Sequence, residues 1–205
     1  MNYLVHLYLS DPDPLCRLGN LMGDFIKGRL ENRRLPAGLL RGLRQHRTVD
    51  RLAIDHPAVR RSRDRLDNRF GHFRGILVDI FYDHLLARNW VLWGDGRLDD
   101  FAAGAYKLLQ RHEALLDETF RPVARRMVRY DWLTAYRNPG TIKTVLGRMA
   151  KRLRRPNPLD QGHTQLVCCG VGMAAECLAF LKDAQGVLAQ QRHGQDVEKE
   201  NDLDG

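Results

Sequence analysis

Seven side chains able to hold a metal ion or move a proton stand in apolar surroundings on four segments of the chain: His6, Asp24, His46, Asp50, Asp79, Asp83 and His84. The stretch RGILVDIFYDHLLARNW, residues 74–90, is as apolar as a core helix, yet it carries Asp79, Asp83 and His84. Carboxylates four residues apart project from one helix face. Two like charges on an apolar face need compensation from a buried arginine, a hydrogen-bond network or a metal ion. The same spacing recurs in LRQHRTVDRL, with His46 and Asp50 at i and i+4. Asp24 sits between Met22 and Phe25, and His6 lies within YLVHLYL.

Each of these residues has a plainer reading. A core histidine satisfies itself with one hydrogen bond, Asp24 after a glycine bonds local amides, and a His/Asp pair spans one helical turn. Taken together, imidazole and carboxylate donors without thiolates suit Mn, Fe, Mg or Zn. Helix bundles build such centres from side chains on facing helices.

The elements that must position these groups read as helices throughout. No convincing period-two strand occurs. Apolar spacing predicts a short segment from Asn2 to Leu9 and helices over 14–27, from Pro36 towards Asp55, over 57–68, over 74–93 and over 98–116. It predicts two basic helices, 120–136 and 139–153, then a proline-rich linker and a last helix over about 164–191. The remaining residues, 191–205, lack apolar content and are expected to form a frayed polar tail. The architecture is thus expected to be all-α, a single helical bundle over residues 1–190.

The bulk composition fits a globular chain: 43% hydrophobic and 28% charged among 205 residues. The N-terminal stretch has no basic region of the targeting type. The longest apolar run, Leu166 to Leu181, is broken by Glu176 and short for a bilayer. A cytoplasmic protein with no membrane partner is expected. Cys16, Cys168, Cys169 and Cys177 show no zinc spacing and are expected to be reduced thiols. The net charge is +8. From Arg121 to Arg155 there are eleven Lys and Arg against one acid, Asp131. Such a face implies an acidic partner, whether nucleic acid, anionic lipid or an acidic protein; its plainer reading is a solvated arginine-rich surface.

The segments MNYLVHLYLS, GNLMGDFIKG, HRTVD, LVDIFYDHLLARNW and WLTAYRNPGTIKTVLGRMAKRLRRPNPL, in this order, resemble the acyl carrier protein phosphodiesterases over about residues 1–159. The resemblance implies a divergent HD-type phosphohydrolase fold dependent on a divalent cation, Mn2+ first, with Mg2+, Fe2+ or Co2+ as alternatives. It implies hydrolysis of the phosphodiester between 4'-phosphopantetheine and a serine of holo-acyl carrier protein. Under it, Asp24, His46, Asp50, Asp79, Asp83 and His6 are expected to hold the metal. Asp24, Asp50 and His84 are expected to act in catalysis, and Lys27, Arg47 and Arg51 to meet the phosphate. Docking of the acidic carrier falls to Arg125, Arg129, Arg137, Lys143, Arg148, Lys151, Arg152, Arg154 and Arg155. The last helix departs from the pattern in LVCCGVGMAAECL, small and thiol-rich, which leaves room for an oligomer contact there. Two rival readings are a metal-dependent phosphohydrolase of nucleotides and a basic helical nucleic-acid binder. The second lacks any helix-turn-helix or zinc-finger signature.

Overall fold

A computed structural model describes the backbone of residues 1–31 and 33–203, with side chains to Arg192. Among these residues every regular element is a helix, as the sequence predicts: α1 (Tyr3–Leu9), α2 (Pro14–Met22), α3 (Ala37–Asp55), α4 (Pro57–Asp64), α5 (Arg74–Arg88), α6 (Trp90–Trp93), α7 (Leu98–Arg111), α8 (Arg121–Arg129), α9 (Trp132–Ala135), α10 (Pro139–Arg152) and α11 (Gln165–Leu203). The polar stretch 191–205 falls almost wholly outside the described side chains.

The centre of the fold is α5. Ten of its residues, from Leu77 to Ala87, are buried, and it packs on α1, α4, α10 and α11. Its sequence is apolar on every face because every face meets protein. Beside it, α2 and α3 pack at very short range. A Cβ added to Gly42 would lie 2.0 Å from the Cys16 carbonyl oxygen, and one on Gly19 2.3 Å from that of Leu39. Only glycine lets the two backbones meet there. The start of α2 is fixed by Asp13, whose side chain accepts the Cys16 amide at 2.7 Å, with Pro14 in the first turn.

Five helices are shorter than their apolar periodicity suggests. α7 stops at Arg111, short of residue 116, and the segment 74–93 breaks after Arg88 into α5 and α6. α2 stops at Met22, and Asp24 lies on the turn that follows. The segment 57–68 stops being α-helical at Asp64, with a 3-10 turn over Asn68–Phe73. The basic segment 120–136 breaks at Asp131, which is left-handed at φ 45°. That conformation is held because the Asp131 carboxylate accepts the Tyr106 hydroxyl at 2.7 Å and also Thr134 Oγ1.

By length and a mean hydropathy of 1.6, the segment Leu159–Arg192 passes for a bilayer span. In the fold, one side of α11 packs on α4 and α5 through Met173, Cys177, Phe180, Leu181, Ala184 and Leu188. Buried Glu176 accepts Ser62 Oγ at 2.7 Å and Arg65 Nε at 2.8 Å, and Ser62 meets the Tyr82 hydroxyl at 2.9 Å. The opposite side leaves Val167 and Val171 exposed. All four cysteines are free thiols; Cys16 and Cys177 are buried.

Candidate metal centre

Four parts of the chain converge on one point. His6 comes from α1, Asp24 from the turn after α2, His46 and Asp50 from one face of α3, and Asp79 from α5. One donor atom each from His6, His46 and Asp50 lies within 4.8 Å of the others. His6 Nε2 is 3.3 Å from Asp50 Oδ1, and His46 Nε2 is 3.2 Å from Asp50 Oδ2 and 3.7 Å from Asp24 Oδ1. The two imidazole rings stack at 3.8 Å. The α-amino nitrogen of Met1 lies 2.9 Å from Asp50 Oδ1 and 3.7 Å from Asp79 Oδ1, a cation among carboxylates.

The local sequence explains how the rings are aimed. His46 Nδ1 donates to the Asn20 carbonyl at 2.8 Å, so Nε2 is the nitrogen presented to Asp24 and Asp50. Metal-binding histidines are commonly oriented by such a bond on their far nitrogen. The ring lies directly against the backbone after α2, for a Cβ on Gly23 would sit 2.1 Å from His46 Cγ. Asn20 is held in turn, its Nδ2 donating to Gln45 Oε1 at 2.6 Å and Ser10 Oγ at 3.0 Å.

The electrostatics separate the two histidines. Burial, helped by the neighbouring His46 charge, pushes His6 down to about 3, so His6 is neutral at any pH near neutrality. Burial also opposes charge on His46, but Asp24 and Asp50 outweigh it and raise the group to about 9. Asp50 ionises well below the usual carboxylate range, because the imidazoles and the Met1 amine overcome its burial. Asp24 is lowered by His46 beside it. Burial raises Asp79 despite the Met1 amine.

A divalent cation fits this group. Both ring nitrogens of His6 are buried without a hydrogen-bond partner; the Asp50 oxygen at 3.3 Å is close but poorly aligned. A polar atom so stranded is costly unless something coordinates it. Neutral imidazole, ionised carboxylates and an ammonium placed between Asp50 and Asp79 are together the setting of a cation site.

Other expected site residues have different partners. Asp83 faces α1: its two oxygens accept the Leu4 and Val5 amides at 3.0 and 2.9 Å, and burial raises its carboxyl to about 7. It satisfies orphan amides at the helix start and so fixes the helix that carries His6. His84 Nδ1 donates to the Tyr136 carbonyl at 2.7 Å and ties α5 to the end of α9. Arg47 donates to the Ile26 and Gly28 carbonyls and shapes the loop after Asp24. Lys27 and Arg51 are exposed, as are all nine cations expected to dock a partner. Sequence reasoning missed Asn20 and Gly23; the GNLMG spacing before Asp24 is the one signal that pointed near them.

The family described as acyl carrier protein phosphodiesterase matches residues 1–184. An acyl carrier protein phosphodiesterase of Photorhabdus laumondii is 34% identical over 161 residues, which cover 78% of this chain and 81% of the relative. Proteins with the same description from Pectobacterium atrosepticum and Escherichia coli are 34% and 31% identical, covering 76% and 78% of this chain and 80% and 82% of theirs. No solved structure matches the chain. The chain belongs to the acyl carrier protein phosphodiesterase family.

Proposed function

We propose that the protein hydrolyses the phosphodiester joining 4'-phosphopantetheine to the serine of holo-acyl carrier protein, in a cytoplasmic setting and on a fold of the HD-phosphohydrolase type. Water adds its hydroxyl to phosphorus and its proton to the serine oxygen, giving apo carrier and free 4'-phosphopantetheine. The observation that carries the reading is the buried His6–His46–Asp50 group with its unpartnered imidazole, in a chain of this family.

His6, His46 and Asp50 would hold the divalent ion, Mn2+ first, with the nearby carboxylates of Asp24 and Asp79. Such an ion lowers the pKa of a water and draws negative charge off phosphate oxygens. Asp24 is 61% exposed at its side chain and ionised beside His46, so its carboxylate takes the proton of the attacking water. Lys27 and Arg51, both exposed at the surface, meet the non-bridging oxygens. Asp83 and His84 act at one remove: Asp83 sets α1, and His84 anchors α9. The basic face of α8–α10 draws in an acidic carrier.

The test incubates metal-stripped protein with holo-acyl carrier protein, with and without manganese, and weighs the carrier by mass spectrometry. A manganese-dependent loss of the phosphopantetheine mass is the expected result. An unchanged mass under every divalent metal refutes it and turns attention to nucleotide diesters and monoesters.

A further inference from the structure

The nine exposed cations on the basic face are not equivalent. Arg125 Nε already donates to Glu113 at 2.7 Å, and Arg137 Nη2 to Asp99 at 2.6 Å. Arg129 lies over the Tyr130 ring, 5.4 Å from its centroid. Among the described residues, Lys143, Arg148, Lys151, Arg152, Arg154 and Arg155 have no carboxylate within 4.0 Å. A cation already paired must exchange one carboxylate for another when a partner arrives, with little net gain. An unpaired one gives up only water. The available charge is therefore concentrated at the C-terminal end of α10.

A cavity of about 420 Å³ opens at that end. It is lined by the apolar Gly147, Ala150, Leu153 and Pro156, by the cations Lys151, Arg154 and Arg155, and by Asn157 and one acid, Asp160. Leu153, 37% exposed, lines it together with these cations. The groove is preformed. Asn157 Nδ2 donates to the Ala150 carbonyl at 3.1 Å and the Arg155 carbonyl at 3.0 Å, and its Oδ1 accepts the Leu159 amide. No aromatic side chain lines it, so it offers nothing for a nucleobase to stack on. A lining that combines apolar side chains with unpaired cations matches an amphipathic helix with acidic flanks and one protruding apolar side chain.

We propose that this groove, and not the whole basic face, seats an acidic amphipathic helix of the protein substrate, with an apolar side chain of that helix packed on Leu153. The proposal rests on the carrier-protein reading above and adds to it the place and manner of docking.

Two variants test it from opposite sides. Gly147→Leu fills the groove without changing charge. A Cβ at Gly147 meets nothing within 4 Å, and leucine favours a helix more than glycine does, so the fold is retained. Arg154→Glu/Arg155→Glu reverses the charge and leaves the groove open. The probe is fluorescently labelled apo-acyl carrier protein, followed by anisotropy, with poly-glutamate as competitor. Turnover of holo carrier and of bis(p-nitrophenyl) phosphate is measured in parallel.

Both variants should raise the Kd for apo carrier and the KM for holo carrier about tenfold or more, with small-diester turnover unchanged. Poly-glutamate should compete poorly, since it has no apolar side chain to insert. The proposal is overturned if wild type does not bind the carrier, if Gly147→Leu binds like wild type, or if poly-glutamate displaces the carrier at equal charge. Continued cleavage of holo carrier by both variants at unchanged KM would remove the groove and leave the function standing. Groove-dependent binding without cleavage by wild type would do the reverse.

Discussion

Because His46 is raised to about 9 while His6 is lowered to about 3, metal binding should be coupled to the release of one proton and not two. At pH 7 the His46 imidazole keeps its proton by roughly a hundred to one, since each pKa unit is tenfold. A divalent ion must displace that proton from Nε2. Apparent affinity should thus rise about tenfold per pH unit, or ~1.4 kcal/mol, from near pH 6.5 until it levels off near 9. The sign follows from the raised group: the proton belongs to the metal-free fold and is lost as pH climbs. The same proton supports the metal-free fold below about pH 6.5, and that support disappears as pH passes through about 9. Calorimetric titration with Mn2+ at pH 7, in two buffers of different ionisation enthalpy, counts the protons directly. A count near one, with affinity rising to pH 9, is expected. A count of zero with pH-independent affinity would refute the assignment of His46 as both proton holder and ligand. A count of two would mean that a second group of the site, His6, Asp79 or the Met1 amine, also gives up a proton.

Three substitutions probe what holds the site. Gly23→Ala puts a methyl group into the His46 ring, at a backbone position that any residue can adopt. The melting temperature should fall modestly while Mn2+ affinity drops about 10–100-fold, the scale seen when the support of a metal ligand is lost; unchanged affinity would show that the ring does not need this seat. Asp83→Ala strands the Leu4 and Val5 amides, at about 1–3 kcal/mol each by urea unfolding. It should also weaken metal binding through His6, although Asp83 touches no ligand, and full metal affinity in the folded variant would contradict that link. Gly42→Ala drives a methyl group into the Cys16 carbonyl. It should part α2 from α3 and cost more than the ~1–3 kcal/mol of ordinary overpacking, seen as loss of soluble protein or a melting point lowered by well over 5 °C.

The helices were legible because apolar spacing is a local property, and the i,i+4 pair His46 and Asp50 was legible for the same reason. The pair Asp79 and Asp83 carried the same signal, yet the two carboxylates do different work. They share one face of α5, but a turn apart: Asp79 meets the Met1 amine at the centre, and Asp83 lies under the Leu4 and Val5 amides of α1. Spacing reveals which residues share a helix face and says nothing about what that face meets. Helix ends were missed where one residue outweighed the periodicity: Gly23 under His46, and Asp131 held left-handed by Tyr106 and Thr134. Asn20 acts on the site through its backbone carbonyl, which every residue type possesses, and no sequence pattern marks that.

The bond from Asp83 to the start of α1 spans 78 and 79 residues of chain. Its consequence concerns the order in which the centre can come into being. The donors on α3 are neighbours from the moment that helix forms, but His6 cannot be aimed until α5 has docked and supplied the carboxylate that fixes α1. Such distant pairings form late, since loop closure precedes any reward from the contact. A chain halted anywhere before Asp83 would carry His46 and Asp50 without a settled third donor. Tight metal retention would then report that the long-range pairing has been made, and metal binding would serve as a marker of completed folding.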